Sequence, residues 1–216
     1  MTDLGTLASL LFSHDDAGAR FFGVAVGVVT NNKDPEDLGR VKVKCPWMTN
    51  DHESFWARVV TPMAGKGRGL YLLPEVDDEV LLAFEHGVPR FAYVLGSLWN
   101  GKDKPPESNK NGKNDHRTLQ SRSGHLIRLD DTDGNEQIEI LDKSGRNRIV
   151  IRTSKNEIRI EAGSGIAVTA KDGALKLTGA SVQVTSNGSL SIKAQGTIEV
   201  EAAGQLKLKG STVDIN

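Results

Sequence analysis

From Ile127 to the last residue the chain repeats one short pattern: two apolar residues at i and i+2, then turn-formers and small residues. The pairs are Ile127/Leu129, Ile138/Ile140, Ile149/Ile151, Ile158/Ile160, Ile166/Val168, Leu175/Leu177, Val182/Val184, Leu190/Ile192, Ile198/Val200, Leu206/Leu208 and Val213/Ile215. The first two steps are eleven residues, and the later ones run from seven to nine, centring on eight. Inside most pairs sits a polar residue, such as Arg128, Glu139, Arg159, Lys176, Gln183, Ser191, Glu199, Lys207 or Asp214. Alternation of period two makes each unit a short strand with one apolar face. Gly and Asn between the units supply the backbone angles of tight corners. Self-similarity at a fixed short period is the mark of a repeat architecture.

One strand with its corner is one side of a prism and cannot enclose a core alone. Two closed solutions follow. A single chain can wind three units per coil into a β-solenoid, or three chains can each supply one side per layer. A solenoid distinguishes its faces and caps its ends with polar residues. No period of about 24 residues is visible, and the pattern runs to the final "STVDIN". An antiparallel meander is disfavoured, because Asn-Gly or Asp-Gly pairs are missing at most corners. The expectation is an intertwined trimeric β-helix over residues 121–216. The pairs from Ile138/Ile140 through Leu206/Leu208 form its core. Val213, Ile215 and Asn216 form an apolar tip that a separate protein covers, since bare apolar strand ends are liabilities.

Upstream, residues 21–100 hold "FFGVAVGVVT", "GRVKVKCPW", "SFWARVVTP", "EVLLAFEHG" and "RFAYVLGSLW", separated by Gly, Pro, Asn and Asp clusters. Five or six short strands in so few residues predict a small closed barrel of the OB type. The fold class is therefore all-β. Residues 101–120 lie in a polar, proline-containing stretch that reads as a linker. Residues 1–20 carry Leu4, Leu7, Leu10 and Leu11 at helical spacing, the pattern of a short docking helix.

Composition removes several function classes. A net charge of −1 argues against nucleic-acid binding. The single cysteine, Cys45, excludes an internal disulfide and any multi-cysteine metal site. No apolar run reaches a membrane span, and the N-terminus lacks the basic region of a secretory signal, so synthesis in the cytoplasm is expected. The five histidines, at 14, 52, 86, 116 and 125, show no metal-ligand spacing. "AGKGRG" at 64–69 lacks Walker spacing and reads as a turn beside the barrel. "DDTDGNE" at 130–136 misplaces the glycine of a calcium loop and reads as the turn between two strands. Glu75, Asp77, Asp78 and Glu79 read as a solvated strand start. No cofactor and no enzyme activity are expected. The rival reading is an OB barrel that binds nucleic acid or carbohydrate, carried on a monomeric β-solenoid stalk. Its stacking residues would be Phe55, Trp56 and Trp99, whose spacing reads instead as core.

The runs "VGVVTNNKDPEDLGRVKVKCPW", "WARVVTPMAGKGRGLYLLPEVDDEVLLAFEHG" and "RFAYVLGSLWNG", followed by octad repeats, resemble the central spike proteins of contractile injection machines. Phage baseplate assembly protein V and the barrel-plus-needle half of VgrG proteins are of this kind. The resemblance implies a homotrimer that joins a baseplate hub to a needle aimed at the target membrane. A conical protein with Pro-Ala-Ala-Arg repeats (a PAAR-type tip) sits on that needle. The hub domains that precede the barrel in VgrG proteins are missing here, which makes the hub an expected separate partner. A lysozyme domain and a terminal His-x-His iron motif are also missing, His125 being the last histidine. The implied life cycle is assembly into a phage tail or injection particle and delivery outward on contraction.

Overall fold

The structure is a computed structural model, and it describes residues 20–46 and 53–215. The expected docking helix, with Leu4, Leu7, Leu10 and Leu11, lies outside the described residues, as does Asn216 of the expected tip. The chain divides into two units, one ending at Gly163 and one beginning at Ser164.

The alternating valine-rich runs become strands β1 (Val24–Asn31), β2 (Arg40–Lys44) and β3 (Ala57–Val59). The glycine-rich turn at 64–69 becomes a two-rung hairpin, β4 (Ala64–Gly65) with β5 (Arg68–Gly69). Strands β6 (Glu79–Phe84) and β7 (Ala92–Ser97) complete the barrel. It closes in the order β1-β2-β3-β7-β6, antiparallel except for β3 beside β7. This five-stranded barrel has the OB architecture that strand count and spacing predict. Register shifts in β1 near Asn31 and in the β6–β7 pair near Leu82 bend the strands into closure.

Five strands enclose a narrow interior, since barrel diameter grows with strand number. Small and medium side chains fill it: Val29, Val41, Val43, Cys45, Ala57, Val80, Leu82, Ala92 and Val94. A fully buried Val or Leu here contributes roughly 1.5–3 kcal/mol. Phe84 packs against this core, whereas Phe55 (61%) and Trp99 (69%) are exposed and Trp56 is half-buried. The expected place of these last three in the core is thereby corrected. Cys45, just past the end of β2 and not within a strand as expected, is buried, and desolvation pushes its thiol pKa up.

The second sheet of this unit is a five-stranded antiparallel meander in sequence order: β8 (His116–Gln120), β9 (Leu126–Asp130), β10 (Gln137–Leu141), β11 (Arg148–Arg152) and β12 (Glu157–Glu161). Two expectations change. Strand β8 opens inside the stretch read as linker. The first four repeat units, disfavoured as a meander, form one. The first three steps, of eleven, eleven and nine residues, each hold a five-residue strand plus a connection that reverses direction. The connections carry left-handed residues at Gly134 (φ 73°), Gly145 (φ 68°) and Asn156 (φ 48°).

In the second unit, from Ser164 onward, the chain makes no ladder and no helix among the described residues. Bends fall at 171–173, 179–180, 187–188, 195–196, 203–204 and 211, so they recur at about the repeat length. Every described residue of this unit is exposed.

Candidate self-association surface

The register of the meander lines its apolar pairs into two rows. Ile127, Ile140, Ile149 and Ile160 are direct cross-strand neighbours in one row, which Leu119 extends on β8. Leu129, Ile138, Ile151 and Ile158 form the other, and Arg117 ends it, held by Asp131 at 2.6 Å. Direct cross-strand pairs are the closest side-chain contacts a sheet offers. The result is a stripe two residues wide and five strands long. Its nine apolar side chains are between 39% and 69% exposed.

The opposite face is closed on itself. Thr118, Arg128, Glu139, Val150 and Arg159 follow one another across the strands. Arg128 reaches Glu139 at 3.3 Å, and Arg159 bonds Glu157 at 3.0 Å, which also accepts from Arg152. Glu107, from the polar connection before β8, lies against this face. It accepts hydrogen bonds from Thr118 Oγ1 and Arg128 Nε, both at 2.9 Å, and meets His116 Nδ1 at 3.1 Å. Burial raises the Glu107 pKa, but the bonds from Thr118, His116 and Arg128 together hold it below the ordinary value. The connection read as a free linker is thus tied to the sheet by its own carboxylate. Polar groups on this sheet have partners within the chain, whereas the apolar stripe is left facing out.

The octad pairs repeat one local geometry. From Ile166/Val168 to Val213/Ile215, the first member is 51–61% exposed and the second 66–85%. The residues read as trimer core fall into two groups. Ile138, Ile140, Ile149, Ile151, Ile158 and Ile160 share the meander stripe. Ile166, Val168, Leu175, Leu177, Val182, Val184, Leu190, Ile192, Ile198, Val200, Leu206 and Leu208 are pairs in the second unit. Of the expected tip, Val213 is 51% and Ile215 85% exposed. Residue types at period two revealed the pairs. The cross-strand alignment of the first four, and the role of Glu107, are tertiary and have no local signal.

The barrel carries the cations and aromatics a binding face would need, already engaged with one another. Arg40 and Lys42 lie over Trp56 at 6.0 and 5.5 Å, and Arg90 over Phe55 at 4.9 Å. Arg40 is also paired with Asp34 and Glu36, and Lys42 with Glu53. Among the described residues no three His, Cys, Asp or Glu side chains come together as a metal site, and no helix is long and apolar enough to cross a membrane.

The chain thus runs from a five-stranded barrel to a sheet with an outward apolar stripe and then to a segment with periodic bends. Residues 25–99 match the family described as the type VI secretion system/phage-baseplate injector OB domain. The chain is similar to type VI secretion system spike proteins of Pseudomonas aeruginosa. Identity to VgrG1a is 29% over 126 residues, covering 53% of this chain and 20% of the relative. Identity to VgrG1b is 29% over 131 residues, covering 56% and 16%. VgrG1c is 30% identical over 116 residues, covering 49% and 16%. The chain thus spans a fifth or less of the length of these curated relatives. It is VgrG-like, in agreement with the resemblance carried by its barrel runs, and the similarity supports a structural baseplate or spike role.

Proposed function

We propose that this protein is a structural spike of a contractile injection machine, a homotrimer whose octads form a membrane-puncturing needle. The observation that carries the reading is the octad segment itself. It bends at regular intervals, exposes every apolar pair, and leaves its backbone groups without an intrachain ladder among the described residues. Unpaired strand backbone and apolar pairs in water are both costly, so such a chain needs other chains beside it.

Geometry favours three. A side holding one apolar pair is about five residues, or about 16 Å, long. Three such sides make a triangle whose walls stand about 5 Å from the axis, within reach of Ile and Leu side chains packed to normal density. Four sides would set the walls about 8 Å from the axis and leave an unfilled centre. The single-chain solenoid would require ladders between coils of one chain, which the described residues lack.

The mechanism is mechanical rather than catalytic. A core shared by three chains leaves no protomer able to unfold independently, so the needle transmits the force of contraction to a small area. The proposed partners are two further copies, a baseplate hub protein at the barrel, and a PAAR-type tip protein on Val213, Ile215 and Asn216. Contact with the target membrane is transient, and the particle acts outside the cell that makes it. The test is the native mass of the full-length chain by light scattering after size exclusion. A mass near three times 23.3 kDa that survives dilution is expected, and a monomer would sink the reading.

A further inference from the structure

We propose that the β8–β12 sheet is an association collar: three copies close over their stripes first, and this closure fixes the register in which the octads then join. The proposal rests on the trimeric reading above. It commits to two further copies of this chain as the occupants of the stripe.

Three observations carry it. First, the two halves of the repeat differ in what a lone protomer can complete. In β8–β12 the ladders lie within one chain, so the stripe is finished before a partner arrives. In residues 164–215 no ladder exists within the chain, so these strands form only in company. Second, the octads specify their own register poorly. Each offers the same apolar pair with the same graded exposure, and a slip by one whole unit brings like against like. The stripe has an end: Arg117, tied to Asp131, occupies the place where another aliphatic residue would extend the second row. Third, joining three flexible threads costs entropy that a preformed junction removes. Once three collars are closed, the octads begin from tethered ends and meet at high effective concentration. The stripe suits its own copies. It is only two residues wide, and its rows are Ile and Leu throughout except for that terminal arginine.

The experiment uses full-length chains. In one variant, Ile140→Glu and Ile149→Glu place charges on two facing members of the stripe. In the other, Val184→Glu and Ile192→Glu place them in neighbouring octads. All four side chains are exposed in the single chain, and amide protection of the buried strand residues Val29, Val41 and Leu82 reports that the barrel stays folded. The stripe variant is expected to be monomeric, with amide exchange over 164–215 accelerated at least about a hundredfold. The octad variant is expected to keep the threefold mass and to lose protection only around its substitutions. A trimeric stripe variant with protected octads, or a monomeric octad variant, overturns the collar. A second measurement needs no substitution. During refolding of the unmodified chain, the threefold mass should build up before residues 164–215 gain protection; protection that precedes or coincides with it also overturns the collar. An unmodified chain that is monomeric refutes the trimer itself, a separate outcome.

Discussion

Arg40 grips Asp34 with both ends of its guanidinium, donating to Oδ2 through Nε at 2.8 Å and to Oδ1 through a terminal nitrogen at 2.7 Å. The same carboxylate accepts from the backbone N–H groups of Glu36, Leu38 and Arg40, and so organises the whole connection between β1 and β2. These bonds, the Arg40 side chain first, hold the Asp34 carboxyl well below the usual carboxylate range against the opposing effect of burial. Asp34→Ala should lower the barrel's thermal midpoint more than Asp34→Asn, which keeps an acceptor oxygen. A folded pKa below the unfolded one contributes stability above the ordinary aspartate value of 3.8, lost as pH falls further. Wild type should therefore exceed Asp34→Ala in stability at neutral pH, and the gap should shrink as pH falls below that value, because protonation removes the pairing from wild type; denaturant melts at a series of pH values check this, and a gap independent of pH would refute the pairing.

Gly27 is matched to Leu82 across the barrel interior. A Cβ at position 27 would stand 2.7 Å from Leu82 Cδ1. The backbone at Gly27 is not left-handed, so the constraint is space rather than φ. Gly27→Ala should overpack the core and cost roughly 1–3 kcal/mol. Adding Leu82→Val to that variant should recover part of the loss, whereas Leu82→Val alone should destabilise. Denaturant melts of the four chains form a double-mutant cycle, and an additive result would refute the contact.

The barrel was legible because its strands alternate and are punctuated by Gly, Pro and Asn. Val41 and Val43 alternate with Arg40 and Lys42, and the structure buries the valines and leaves the two cations half-buried. The apolar pairs of the repeat were equally visible. The change at Gly163 was not read, because the step shortens already at Ile149, inside the meander, and a nine-residue step occurs on both sides of the boundary. Trp56 and Phe55 were misread as core because hydrophobicity carries no information on barrel diameter. The anchoring of Glu107 to Thr118 and Arg128 depends on which residues the meander brings side by side, and no local pattern encodes that.

Glu107 makes the connection before β8 sensitive to acid. Its pKa is held below the ordinary glutamate value of 4.5, since the bonds from Thr118, His116 and Arg128 outweigh burial. The contribution is fully present above that value and is lost as pH falls through the lowered one. Glu107→Gln should loosen residues 108–115 by roughly 1 kcal/mol at neutral pH, the carboxylate being partly solvated. Amide exchange of this stretch should be faster in the variant at pH 7. Wild type should approach the variant's rate, after correction for intrinsic exchange, only in acid. Equal protection at pH 7 would mean that the carboxylate does not hold the connection.

The periodic reading of the needle makes a prediction about length. Deleting residues 181–188 removes one unit and leaves Leu190/Ile192 seven positions after Leu175/Leu177, the same step that Val182/Val184 takes in the intact chain. Each strand then still finds a corner before the next pair, and all three chains shift alike. Deleting residues 185–188 instead removes the corner "TSNG" and brings Leu190 to four positions after Val182, so two pairs fall on one side without a bend between them. The first deletion should keep the threefold mass and the protection of residues beyond it. The second should expose those residues to rapid exchange while the mass, if the collar holds, stays threefold. Equal tolerance of both deletions would show that the eight-residue unit does not set the packing of the segment.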